Sequence, residues 1–350
     1  PDSVRLAGQL VAVHRGRKGP RLRLIGHLDT VFEGAGQEWV REDTVARGAG
    51  TSDMKGGDVA IILALQALAD AGRLKDMNIA VIMTGDEESA GNPLSVSRAT
   101  LIDLARESDI ALAFEGGSAT RVAIGRRGSS NWSLDIKARQ SHSAGVFSKG
   151  AGYGAAYEAA RILDEFRTKL VGERGLTFNV GVMAAGAHVA VDTSGTMTAD
   201  GKSNIIPPEF HATGDLRFLT DGQKDSARAR MKGIVATPLE GAEPMITFQD
   251  RYPAMPVTPA GEKLLQVFDG VSRALGYPAV GTSAPESRGA GDISFIAPII
   301  PGVDGLGVDG AGAHSPRELI YLPSLKMSAE RAAVFMSRLV DLGLGALSIR

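Results

Sequence analysis

Residues 22–29 read LRLIGHLD, residues 79–88 read IAVIMTGDEE and residues 110–117 read IALAFEGG. Each is a short, strongly apolar run that ends on glycine and ionisable residues. Strands buried on both faces have this near-continuous apolar character. Between the first two runs, residues 58–71 read as a helix, with Val59, Ile62, Leu63 and Gln66 at near-helical spacing and Gly72 at the end. Strand–helix–strand alternation predicts an α/β sheet covered on both faces. In such sheets ligands bind beyond the carboxyl ends of the strands, where His27, Asp29, Glu87, Glu88 and Glu115 all fall.

Outward from this core the pattern changes. From about Ser129 it reads α+β: Trp132 to Ile136 alternates as a half-exposed strand, 152–170 and 226–236 read as helices, and 178–183 and 210–219 as strands. After Pro253 and Pro256 the α/β pattern resumes, with helices expected over 261–275 and 324–342. The expected organisation is one α/β domain built from residues 1–128 and 251–350, interrupted by an inserted α+β domain over 129–250.

Composition narrows the chemistry. The 350 residues carry 38 Lys and Arg against 40 Asp and Glu, a formal net charge of −2, with no basic stripe for nucleic acid. The apolar stretch 59–65 meets Gln66 well short of the ~20 residues a membrane span needs. Neither nucleic acid nor membrane is expected as a partner. Cysteine is absent, which excludes thiolate catalysis, thiolate metal sites and disulfides. Any metal must be held by His, Asp and Glu. The 44 glycines, about 13% against a usual ~7%, point to tight turns and close backbone approaches. The start at Pro1 carries the expectation of a removed leading segment and of a periplasmic location, with cytoplasmic as the alternative.

The ionisable residues form a pattern. His27 and Asp29 lie on one side of an extended segment, which suits a ligating imidazole whose tautomer a carboxylate fixes. Asp53 sits in GAGTSDMKGG (48–57) ahead of a helix. Glu87 and Glu88 are adjacent like charges, costly when close unless cations or protons offset them. His314 lies in GAHSPRE (312–318). Alone, each has an ordinary reading: a hydrogen-bonded histidine, a turn or cap aspartate, a solvated glutamate pair. Together at one sheet edge they favour an oxygen- and nitrogen-ligated metal site, and zinc fits best with two histidines.

In order, GHLDTV (26–31), GAGTSDMKGG, TGDEE (84–88) and GAHS (312–315) resemble the motifs of the di-zinc metallopeptidase family of aminoacylase, glutamate carboxypeptidase and succinyl-diaminopimelate desuccinylase. The resemblance implies a zinc-exopeptidase-like catalytic domain with a mostly parallel central sheet, the insertion being a dimerisation or lid domain. It implies two Zn2+ per subunit, with Co2+ or Mn2+ as substitutes. Asp53 would bridge them, His27 and Glu115 would complete one coordination sphere, and Glu88 and His314 the other. Glu87 would be the general base and Asp29 would orient His27. Two metals ~3.5–4 Å apart can polarise a carbonyl and acidify a shared water, whose proton Glu87 would take and pass to the leaving amine. Strand alternation would point Glu87 away from its ligating neighbour.

The inserted domain adds QSHSAG (140–145) and SNIIP (203–207). By the same resemblance His142 would reach the active site of the partner subunit in a homodimer and stabilise an oxyanion, and Asn204 would lie near substrate. The period of a strand puts His211, Thr213, Asp215 and Arg217 on one face. Arg217 matches the family arginine that grips a substrate carboxylate, with a structural ion pair as the alternative; Arg251 and Arg288 are further candidates. GLGVDG (305–310) spells a dinucleotide fingerprint, but no clear helix follows it. The sequon at Asn131 lies in an expected strand, and His14 and His188 read as structural. In the family, carboxypeptidases and deacylases tend to carry Glu at position 115. The expectation is therefore hydrolysis of an amide bond next to a free carboxylate, in a small peptide or N-acyl amino acid. The alternatives are a di- or tripeptidase with aminopeptidase character and a catalytically idle binding protein.

Overall fold

The apolar runs form the centre of a five-stranded sheet. In the computed structural model, which describes residues 6–33, 38–347 and 349, the strand order is Leu10–Arg15, Met77–Thr84, Lys18–His27, Ile110–Ala113 and Gly302–Val303. The last four are mutually parallel and Leu10–Arg15 runs antiparallel on the edge. Alternation sorts the side chains: Leu22, Leu24, Ile79 and Val81 pack with helices Gly56–Asp70, Pro259–Ala274 and Leu322–Ala346. Ile25, Ile82, Ala111 and Ala113 pack with Leu101 and Ala105 of helix Ala99–Arg106 and with Ile293 and Ile296. Arg23, among these residues on strand Lys18–His27, donates through Nη2 to Leu104 O (2.7 Å) and Ser108 Oγ (2.8 Å) at the end of that helix.

Helix Gly56–Asp70 exists as expected, but the apolar residues whose spacing marked it do not face the core. Val59, Ile62 and Leu63 are exposed, and Ala60, Ile61, Ala64 and Leu68 are buried. The helix is apolar nearly all round, so spacing alone does not choose its face. Small side chains decide it: a Cβ on Gly57 would stand 1.9 Å from Phe114 O, so only glycine permits this approach to the neighbouring strand.

A second sheet of four short antiparallel strands has the order Gly310–Ala311, Leu319–Tyr321, Val45–Arg47, Val40–Glu42. It sets the segment leading to Asp53 beside the hairpin whose turn carries His314. No helix follows residues 305–310 before Leu322, so the dinucleotide spelling is a loop.

The chain divides into one compact unit of residues 1–126 and 255–350 and another of 127–254. The latter begins before the expected 129 and ends beyond the expected 250, because flanking residues stay paired: Ser129 N–H donates to Tyr252 O (2.8 Å) and Arg251 N–H to Ser129 O (3.2 Å). Its antiparallel sheet has the order Thr177–Gly186, Glu209–Phe218, Gly128–Ala138, Ala242–Asp250. Trp132, Leu134, Phe210 and Leu216 face helices Gly154–Leu170 and Asp221–Val235, where Trp132 meets Phe166 edge-on at 6.0 Å. Asn131 lies inside strand Gly128–Ala138. Among the described residues no helix is long and apolar enough to cross a membrane.

Candidate metal centre

His27 ends its strand at 1% exposure. Its Nδ1 lies 3.0 Å from Asp29 O and 3.5 Å from Asp29 Oδ1. Its Nε2 faces Asp53 Oδ1 at 3.3 Å and Glu115 Oε1 at 3.6 Å; with one proton held on Nδ1, loss of the other would free Nε2 to ligate a metal. The other Asp53 oxygen lies 3.0 Å from His314 Nε2, which is also 3.2 Å from Glu88 Oε2. One carboxylate thus spans two imidazoles, each with a further glutamate beside it.

Asp29 does more than face His27. Its Oδ1 accepts the Glu87 N–H at 3.0 Å and its Oδ2 accepts the Glu88 N–H at 2.9 Å. Both glutamates lie beyond strand Met77–Thr84, in a turn. The expectation that strand alternation separates them is therefore corrected: the two side chains leave a turn whose backbone Asp29 holds. Further back, buried Arg98 donates to Asp86 Oδ1 (2.7 Å) and Asp86 O (2.8 Å) and stands 2.9 Å from Asp292 Oδ1. Thr84 Oγ1 donates to Asp292 Oδ2 at 2.6 Å. Opposite, the loop carrying Asp53 directs backbone N–H groups at Glu318. His314 itself has a φ of 61°, a left-handed conformation uncommon for residues other than glycine.

The electrostatics are those of a crowded anionic site. Burial pushes the Glu115 carboxyl up to about 8 although His27 opposes it. Burial, then the charges of Glu115 and Asp292, raise Glu87 well above the usual carboxylate range. Glu88 rises through burial and the neighbouring Asp53. Burial alone would lower His27, but hydrogen bonds to Asp29 and Asp53 and the charges of Glu115 and Glu87 push it up to about 12. Asp53 and Asp29 stay low: burial works against both, and their contacts with His27 outweigh it.

The donor set fits divalent cations. Ligand atoms of His27, Asp53 and Glu88 lie within 4.8 Å of one another, as do those of His27, Glu87 and Glu115. Glu88 Oε1 is buried without a hydrogen-bond partner. A cation offsets such mutually repelling carboxylates where a proton on His27 does so only in part. The centre opens into a cavity of about 440 Å3 lined by Asp53, Glu87, Glu88, Glu115, His314 and Arg288. Arg288 Nη2 donates to Gly116 O at 3.1 Å, and burial followed by the nearby Arg126 charge lowers its pKa.

Seven of the sequence-derived residues, His27, Asp29, Asp53, Glu87, Glu88, Glu115 and His314, therefore converge in the first unit. Arg288 lines the same cavity, while His142, Asn204, Arg217 and Arg251 lie in the second unit. His142 Nδ1 accepts the Ala144 N–H at 3.1 Å, and His142 pairs with Ile205, beside Asn204, whose carbonyl accepts the Ser143 N–H at 2.9 Å. Arg217 donates to Asp215 Oδ2 at 2.8 Å on the polar face of the sheet. His188 pairs with Glu209 at 3.3 Å and His14 lies on the exposed edge strand. Arg98, Asp292 and Glu318 gave no local signal, since their partners are remote in sequence or carry no motif of their own.

Residues 24–338 match the family described as peptidase family M20/M25/M40. Succinyl-diaminopimelate desuccinylase of Alkalilimnicola ehrlichii is 28% identical over 333 residues, covering 89% of this chain and 82% of that protein. Carboxypeptidase G2 of Pseudomonas sp. is 27% identical over 355 residues, 96% of this chain and 77% of that protein. Among solved structures, aminopeptidase PepT from Bacillus cereus superposes with a TM-score of 0.75 at 20% identity, over 95% of this chain and 84% of its own. The Bacillus subtilis YXEP protein, described as a dinuclear metal-binding peptidase, gives 0.64 at 14% identity, over 97% and 88%. These two likenesses establish the fold.

Proposed function

The chain belongs to peptidase family M20/M25/M40 and is a metallopeptidase or amidohydrolase; we propose that it hydrolyses an amide bond next to a free carboxylate. The observation that carries this reading is Asp53, whose two oxygens face His27 and His314 while Glu87 lies in the same cavity. His27, Asp53 and Glu115 would hold one ion and Asp53, Glu88 and His314 the other, with zinc the best match to this donor set. Such a pair, when bound, supplies Lewis acidity to the scissile carbonyl and lowers the pKa of water.

The chain's own residues do the rest. Asp29 holds His27 in one tautomer and fixes the backbone of Glu87 and Glu88. Glu87 takes a proton from the attacking water and returns it to the leaving nitrogen. Glu115 and the positively charged Arg288 in the cavity support a substrate with a free carboxylate. Arg217 is the second candidate for that contact, on breaking its pair with Asp215. His142 would stabilise the oxyanion, with Asn204 near the substrate.

A homodimer through the second unit is part of this reading. Edge strand Thr177–Gly186 exposes Val180, Val182 and Met183, and helix Gly154–Leu170 exposes Tyr157, an apolar display that suits a self-association surface. Mixing His142→Ala with Glu87→Ala subunits restores activity if His142 acts across the dimer; no recovery after proven exchange refutes that role.

The test of function is a matched pair: zinc-loaded protein with N-acyl amino acids and with their carboxamides. Loss of a charge-assisted contact worth ~1.5–3 kcal/mol predicts a drop in kcat/KM of ~10–100-fold for the carboxamide. Equal cleavage of both, or a requirement for a free amino terminus, would contradict the reading.

A further inference from the structure

Glu318 is 2% exposed and ends the turn that carries His314. Its carboxylate collects four donors from one remote loop. Oε2 accepts the Gly50 N–H at 2.8 Å; Oε1 accepts the Ser52 N–H at 2.8 Å, the Ser52 hydroxyl at 3.0 Å and the Asp53 N–H at 3.0 Å. Its backbone adds two more ties, since its N–H donates to Ser315 O at 3.0 Å and its carbonyl accepts the Gly48 N–H at 3.3 Å. One residue therefore joins the Asp53 loop to the His314 turn. Those segments supply the 3.0 Å contact between Asp53 Oδ2 and His314 Nε2.

We propose that Glu318 is a positioning residue that sets Asp53 against His314 and so fixes the affinity of one of the two metal positions. It rests on the two-metal reading above. Both carboxylate oxygens act as acceptors here. A glutamine of the same shape would present an amide N–H to a backbone N–H on one side, and the loop would have to shift. An ordinary buried anchor would lower stability without a selective effect on metal.

The test compares wild type, Glu318→Gln and Arg331→Lys, all zinc-loaded. Arg331 is a buried, hydrogen-bonded side chain bound to Ala119 O and Ser272 Oγ, and serves as the stability control. Zinc per chain is measured across a chelator series, with urea midpoints of the metal-stripped forms alongside. Glu318→Gln is expected to release one zinc at chelator concentrations ~10–100-fold lower than wild type and to keep the other. Its kcat should fall at unchanged KM and recover in excess zinc. Arg331→Lys should lower the midpoint and keep both ions. If Glu318→Gln fails to fold, Glu318→Asp, which keeps the charge on a shorter arm, should fold and show the same selective loss. Two ions held by Glu318→Gln with wild-type affinity, or release that only follows the midpoint as in Arg331→Lys, overturns this inference and leaves the centre intact. Fewer than two ions in wild type removes the centre and the inference together.

Discussion

Removing metal from this centre should make the protein lose stability as pH rises, and zinc should offset part of that loss. Glu115 stands at about 8 in the metal-free fold against an ordinary 4.5. Between those values the native chain keeps a proton that the unfolded chain has released. The group's contribution is therefore complete below pH 4.5 and is lost as pH rises through about 8. The slope is ~1.4 kcal/mol per pH unit, so moving from about pH 5 to about pH 8 removes on the order of 4 kcal/mol. His27, at about 12 against 6.5, acts in the same direction above pH 6.5. Asp29 and Asp53 are held below 3.8, so their contribution is lost only as pH falls below that value, outside this window. With a urea slope of ~2–3 kcal/mol per molar, the midpoint should fall by ~1–2 M. Zinc needs deprotonated carboxylates and neutral imidazoles, so its affinity grows with pH. At a hundredfold excess over Kd it adds ~2.7 kcal/mol. The assay is urea unfolding followed by circular dichroism from about pH 5.5 to about pH 8.5, with and without zinc. A metal-free midpoint that stays level or rises across this range, or a slope that zinc leaves unchanged, would show that no buried carboxyl at this centre takes up a proton on folding.

Glu87→Gln should keep its metal and lose ~10²–10⁴-fold in kcat, read from turnover alongside zinc content; near-normal turnover removes Glu87 as the base. Arg98→Leu leaves the buried carboxylates of Asp86 and Asp292 without their cation, which should cost ~3–5 kcal/mol in urea unfolding. A change within the error of the midpoint would mean that the pair contributes nothing net. Met183→Asp should turn a dimer into a monomer in light scattering, and an unchanged mass would place the interface elsewhere.

Part of the candidate site was legible because a strand buried on both faces can admit polar residues only where it ends, and His27 and Glu115 mark such ends. The edge strand Leu10–Arg15 was missed because all six of its residues are exposed, so no buried period exists to read. The strands that join Asp53 to His314 are two or three residues long, too short for alternation to register. Arg98 and Glu318 escaped for another reason. Their meaning lies in partners such as Asp292 and the Asp53 loop, which only folding brings near. Arg217 shows the limit from the other side: its two readings, substrate grip and ion pair, rest on the same guanidinium, and an acceptor two residues away satisfies the second.

On the proposed reading His27, Asp53, Glu88, Glu115 and His314 form a two-metal centre. Zinc per chain, counted by elemental analysis after dialysis against metal-free buffer, is the decisive measurement. Two ions per chain in wild type, falling to one or none in Asp53→Ala, is the predicted result. A chain that binds no zinc, or an Asp53→Ala variant that keeps both ions, would contradict it.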